Sequence, residues 1–147
     1  MRISVTFSTA RSPSEAFGFI AQDFFKNHQK WDPDLISNVK LSDGPIGVGT
    51  RGRSVTKFAG KQTADFEVTE FELNKSFVFV NTSGAVALER SYFFKPNRSG
   101  GTDINFVFDM NPRRLDTKLA FPVLGAITRK KVNKNIETLR SLLDSKK

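Results

Sequence analysis

The sequence predicts an α+β fold: a curved antiparallel sheet of about seven strands wrapped around a long C-terminal helix, with two short helices after the first strand. Three observations carry that prediction. Between residues 36 and 110, six strand-like segments follow one another through short polar links, the pattern of an antiparallel meander. The alternation changes phase within residues 62–73, the mark of a bulge that bends a strand. The last third places apolar residues at helical spacing.

Residues 2–8 alternate, with Ile3, Val5 and Phe7 on one face and Ser4, Thr6 and Ser8 on the other, so they form a half-buried strand. Ser12-Pro13-Ser14-Glu15 then opens a helix. Ser12 suits the N-cap, Pro13 the first helical position, and Glu15 completes a capping box. Phe17, Ile20 and Phe24 follow at helical spacing. Asp32-Pro33 ends the helical stretch, because a residue before proline is driven out of the helical region. Strands are expected over 36–41, 49–58, 62–73, 76–82, 85–95 and 102–110. Ser42-Asp43-Gly44-Pro45 is a turn; Ala59-Gly60, Asn74-Lys75, Ser83-Gly84 and residues 97–101 make the other links. In the third of these strands, Ala64, Phe66 and Val68 share one face while Phe71 and Leu73 fall on the other; a bulge near Thr69-Glu70 reunites them.

The final helix is expected over residues 121–144, with Pro122 and Gly125 blurring its start. Leu124, Ile127, Val132, Ile136, Leu139 and Leu143 form its apolar stripe, and Thr128 and Asn135 lie on the same line. Arg129, Lys130, Lys134, Glu137 and Arg140 lie mostly off it. With no internal repeat, linker or low-complexity segment, residues 1–147 read as one domain.

Composition narrows the chemistry. The chain has 15 Phe against one Trp and one Tyr. Phe has no polar atom to satisfy, so it suits either a dry core or the lining of an apolar pocket. The absence of cysteine excludes a disulfide scaffold, a thiolate metal site and a Cys nucleophile. One histidine excludes a His-rich metal site. No apolar run approaches the ~20 residues of a membrane span, and the N-terminus enters a strand pattern at once, so an intracellular, cytoplasmic protein without a signal peptide is expected. A net charge of +8 favours anionic partners or simply solubility.

Several residues in order match a known pattern. They are Ser12-Pro13-Ser14-Glu15-Ala16-Phe17, Trp31-Asp32-Pro33, Leu41-Ser42-Asp43-Gly44-Pro45, Gly47-Val48-Gly49-Thr50-Arg51, Gly100-Gly101-Thr102 and Asn135-Ile136-Glu137-Thr138-Leu139. Together they resemble the START-like superfamily, also called SRPBCC, in its polyketide cyclase/dehydrase-like branch. The resemblance implies a helix-grip fold with a cavity between the sheet and the C-terminal helix. Members of the superfamily bind lipids, sterols, polyketides, plant hormones or quinones, and a minority are cyclases or dehydratases. The matching motifs are structural, so they carry over no catalytic residue. The chain departs from the catalytic cyclases in showing no evident acid–base pair.

Candidate site residues follow from faces and registers. The glycines of residues 44–50 precede a strand rather than a helix, so they shape a turn and not a phosphate loop. His28 is the one neutral-pH proton shuttle, near Asp23, Asp32 and Asp34; the ordinary reading is a polar residue at a helix end. Trp31 either sits at the cavity mouth or plugs the space beneath the short helices. Val86, Leu88, Arg90, Tyr92 and Phe94 share a face on which Arg90 is the intruder. A two-residue Ala59-Gly60 turn pairs Arg53 with Phe66 and Arg51 with Val68, which turns Arg53 inward beside Arg90. An inward arginine needs an anion. Either a ligand's carboxylate or phosphate supplies it, or Glu67, Glu70 or Glu89 does, or the side chain snorkels to the rim. Phe66, Tyr92, Phe106, Phe108 and Met110 complete the expected cavity lining.

The first expectation is therefore a binding or transfer protein for a small hydrophobic or amphipathic ligand, such as a lipid, polyketide or isoprenoid-like molecule. The alternative is an enzyme of the cyclase/dehydratase type that uses Arg90, Tyr92 or His28 as polar catalysts. A third reading is an accessory module that meets a protein or an anionic membrane through the basic region of Arg113, Arg114, Lys118, Arg129, Lys130, Lys131 and Lys134. That region lacks the interleaved aromatics of a nucleic-acid binder, so no nucleic acid is expected. No residue is assigned a catalytic or metal-binding role and no cofactor is expected. The sheet leaves an exposed edge, so both monomer and dimer stay open.

Overall fold

A computed structural model of the chain describes residues 1–57, 60–84, 86–113 and 115–145. Strand β1 is Arg2–Thr9 and alternates as expected, with Ile3 and Phe7 buried. Helix α1 is Pro13–Phe17. Ser12 caps it, its hydroxyl accepting from the Glu15 amide while the Glu15 carboxylate accepts from the Ser12 amide, so the capping box is complete. A single π-helical turn, Gly18–Gln22, leads into α2, Phe24–Trp31. Phe17, Ile20 and Phe24 are all buried. Helix α2 stops at Trp31, because Asp32 before Pro33 is extended.

The meander follows as β2 (Leu35–Lys40), β3 (Arg51–Thr56), β4 (Gln62–Glu72), β5 (Ser76–Asn81), β6 (Val86–Pro96) and β7 (Thr102–Pro112). All pairs are antiparallel and the order across the sheet is β1-β7-β6-β5-β4-β3-β2. Helix α3, Leu115–Ser145, lies against this sheet. It begins earlier than the sequence suggests and runs on through Pro122. Its C-terminal end is tied to β1, where the Thr9 hydroxyl donates to Asp144 at 2.6 Å. No described helix is long and apolar enough to cross a membrane.

The β4 bulge lies where the phase change places it, between Val68 and Glu70. It returns Phe71 to the core, where the ring meets Phe17 edge-on at 5.1 Å and Phe77 at 5.7 Å. Leu73, expected on the same face, is instead exposed, because the strand ends at Glu72 and a turn follows. Phe24 reaches Phe77 and Phe79 at 5.1 and 5.0 Å. The abundance of Phe is thereby explained in part: Phe17, Phe24, Phe66, Phe77 and Phe79 fill the core under the short helices.

Two expectations fail on geometry. Strand β3 ends at Thr56 and β4 begins at Gln62, so the connection is longer than a two-residue turn; Ala59 itself lies outside the described residues. The register is displaced by one: Arg53 pairs with Asp65, Gly52 with Phe66 and Arg51 with Glu67. A one-residue slip moves every side chain to the opposite face. Arg53 therefore points away from the helix, with its side chain 51% exposed, and holds Asp65 bidentately at 2.7 and 3.2 Å. Its anion is none of the expected glutamates. Gly52 takes the inward position, and its missing Cβ makes room for the Phe66 ring: a methyl there would sit 2.3 Å from Phe66 Cζ.

Ile127 also departs from the apolar stripe and is 50% exposed. The inward line of α3 is Gly125, Thr128, Val132, Ile136, Leu139 and Leu143, on which Thr128 displaces its neighbour. Arg114 and the Lys118 and Leu124 side chains lie outside what the structure describes.

Candidate functional site

Between the sheet and α3 lies a pocket of about 370 Å³. That space is equivalent to about a dozen waters at ~30 Å³ each, the size of one small organic molecule. Two turns of α3 roof it through Thr128, Lys131, Val132, Asn135 and Ile136, spaced to share one helix face. One wall is apolar and comes from β6 and β7: Val86, Leu88, Phe106, Phe108 and Met110. Strands β3 and β4 add hydroxyl and amide groups, including Ser54, Thr56, Gln62 and Thr63. The strand pattern dictates this division, because β6 and β7 carry large apolar residues at alternate positions while the facing positions of β3 and β4 are small or polar.

His28, Trp31, Asp32, Arg90 and Tyr92 border the pocket as well. Trp31 is buried and packs against Phe19 and His28, with ring centres 5.9 and 5.3 Å apart. It is an inner wall rather than a rim. Tyr92 is buried with its ring 4.7 Å from Phe106. Burial pushes its hydroxyl pKa well above the usual tyrosine value, against the opposing pull of Arg90 and a hydrogen bond with Trp31. It stays a neutral phenol. His28 stacks on Phe24 at 4.5 Å, and its Nδ1 lies 3.3 Å from Asn38 Nδ2, which donates to it when the ring proton is on Nε2. Burial, then the positive charges of Arg90 and Lys131, hold its pKa well below the ordinary value, so the ring is neutral.

On β6, Arg90 pairs with Phe79 of β5 on one side and Phe108 of β7 on the other. Its guanidinium carbon sits 4.5 Å from the Phe79 ring centre, a cation–π contact. Its Nε is sealed from solvent and has no hydrogen-bond partner among the described residues. Burial lowers its pKa, and the fields of Tyr92 and Asp32 oppose that fall. Lys131 differs: its Nζ donates to Asp32 Oδ1 and to Asp34 Oδ2, each at 2.9 Å.

Of the residues the sequence singled out, Trp31, Arg90, Tyr92, Phe106, Phe108 and Met110 border the pocket together. Arg53 is on the outer face, and Phe66 is buried core, packed against Phe25 and Phe79 at 6.0 and 5.3 Å. Reasoning from sequence did not select Asp32, Lys131, Asn81 or the hydroxyls of β3 and β4. Thr128 and Asn135 carried a usable signal, as polar residues interrupting an apolar helix stripe. Among the described residues no group of three metal-ligating side chains forms a metal site.

No protein-family model matches the sequence, and no curated protein matches it. Solved structures do resemble it. The Zhui aromatase/cyclase from Streptomyces sp. R1128 superposes with a TM-score of 0.82 at 13% identity, over 97% of this chain and 93% of that one. TTHA0849 from Thermus thermophilus gives 0.77 at 15% identity, over 96% and 95% of the two chains. Ara h 8.0201 gives 0.72 at 11% identity, over 97% of each. The chain thus shares the helix-grip fold of these structures, a curved antiparallel sheet around a long C-terminal helix.

Proposed function

We propose that the chain is a binding or transfer protein for a small amphipathic molecule held between the sheet and α3. The observation that carries this is the pocket itself, lined by apolar residues of β6 and β7 and by hydroxyl and amide groups of β3 and β4. Burying apolar surface there supplies affinity at roughly 25 cal/mol per Å². The polar groups fix orientation. Trp31, the one tryptophan, borders the pocket and reports on it directly. Titration with decanol is expected to shift its emission saturably. An unresponsive Trp31 across a series of apolar and amphipathic compounds would contradict the reading.

A second reading has its own support. Neutral His28, neutral Tyr92 and cationic Arg90 border the same pocket, and a solved structure with this fold is an aromatase/cyclase. A cyclase or dehydratase would use such groups to place and move protons on a polyketide-like substrate. Recovery of bound compounds unchanged after prolonged incubation favours the binder; conversion that Tyr92→Phe and His28→Gln abolish favours the enzyme.

The basic region supports transient membrane contact. Val123, Ile127, Lys130 and Lys134 are all exposed, and their spacing puts two apolar and two cationic side chains on one outer line of α3. This arrangement suits shallow insertion beside anionic headgroups. Co-sedimentation with phosphatidylserine vesicles that Ile127→Ser weakens would support it; equal recovery with neutral vesicles would count against it.

A further inference from the structure

The polar end of the pocket carries more information than its size. The Arg90 Nε is closed off from solvent and has no hydrogen-bond partner among the described residues. Arg90 is half-buried with its Nε closed off, and a cation so placed without an anion in contact is costly unless charge elsewhere offsets it. The offset lies close by. Asp32 and Asp34 share the single ammonium of Lys131, so this triad carries one net negative charge, two carboxylates against one cation. Asp32 also borders the pocket and acts on Arg90 through space without touching it. The guanidinium is thus held in place by the Phe79 ring and balanced at a distance, with its contact position left open.

Position along β6 orients a ligand. Val86 and Leu88 precede Arg90 on the same face, so the apolar wall runs about 14 Å along the strand from Val86 to Arg90 at ~3.4 Å per residue. A molecule with its head at Arg90, beside Phe108, lays its tail along Leu88, Met110 and Val86. Asn81 borders the pocket beside this wall, and its Oδ1 is likewise buried without a partner.

We propose that Arg90 is the head-group site, and that the ligand is a single-tailed or ring amphipath bearing a carboxylate; this rests on the pocket-binding reading above. A planar carboxylate matches the guanidinium fork. A phosphate, with about −1.5 to −2 charge near neutral pH, overmatches one cation that already has Asp32 nearby. A neutral alcohol leaves the charge of Arg90 unanswered.

The test compares decanoate, decanol, methyl decanoate and decyl phosphate on ¹⁵N-labelled protein, reading affinity and the Arg90 Nε–H resonance. Decanoate is expected to bind about tenfold or more tighter than decanol. It alone should move the Arg90 signal strongly. Arg90→Met should erase the preference for decanoate over decanol. Should that variant fail to fold, Arg90→Lys, which keeps the charge and loses the fork, is expected to fall between. Equal affinity for decanoate and decanol in the parent protein overturns the proposal but leaves the pocket reading standing. So does tighter binding of methyl decanoate or decyl phosphate. Failure of all four to bind overturns the pocket reading, and this proposal with it.

Discussion

Lys131 Nζ lies 2.9 Å from Asp32 Oδ1, joining the middle of the last helix to the corner where α2 turns into β2. Both side chains are largely buried, 18% and 10% exposed. The pair spans the site: Asp32 belongs to the segment after Trp31, and Lys131 to the roof of the pocket. It fixes the helix over the cavity and leaves the acidic surplus that balances Arg90.

Lys131→Met is therefore expected to destabilise the fold by about 2–4 kcal/mol, because it strands the Asp32 carboxylate in a partly buried position. Urea unfolding measures this. A loss under about 0.5 kcal/mol would mean that the contact behaves as an exposed surface pair.

Arg90→Met should have the opposite sign. Replacing this half-buried cation, whose Nε is closed off without a hydrogen bond among the described residues, by an apolar side chain is expected to raise unfolding stability by about 1 kcal/mol or less in the ligand-free protein. Stability conceded at a binding position is the signature of a functional site. A marked loss of stability in the same urea assay would show that Arg90 is a structural residue.

Gly52→Ala should cost about 1–3 kcal/mol, since the new methyl overlaps the Phe66 ring. Adding Phe66→Leu should recover part of that loss, giving a non-additive cycle. Strict additivity of the two substitutions would contradict the contact.

The one histidine sets an acid limit. In the unfolded chain His28 titrates near 6.5, and in the folded chain burial holds its pKa well below that. A depressed histidine pKa means that the unfolded state takes up the proton first. Stability is then complete above about pH 6.5 and falls as pH drops below it, by up to about 1.4 kcal/mol per pH unit until the folded-state pKa is reached. His28→Gln should flatten the stability profile between about pH 6.5 and 5, above the range where Asp and Glu titrate. An unchanged profile would show that another group controls it.

How much of this was legible in the sequence depended on whether the signal was local. The Ser12–Glu15 capping box and the helix stop at Asp32-Pro33 are written in a few adjacent residues, and both stand. The β4 bulge was visible as a phase change inside one strand, and it stands as well. The face of Arg53 depended on the length of the β3–β4 connection, and a one-residue difference there reversed it. Arg90 was readable because a cation on an apolar alternation is conspicuous within a single strand. Ile127 was misplaced because Thr128, a polar residue, takes the inward position next to it. The Lys131–Asp32 contact joins residues 99 apart in the chain, and no local pattern announces it.

The central claim is that the space between sheet and helix holds a small molecule. Native mass spectrometry of freshly purified protein, followed by unfolding and extraction, addresses it most directly. A discrete excess mass on the folded chain, released on unfolding and identified as an amphipathic acid, is the predicted result. A clean ligand-free mass that persists after incubation with decanoate and decanol would contradict the claim.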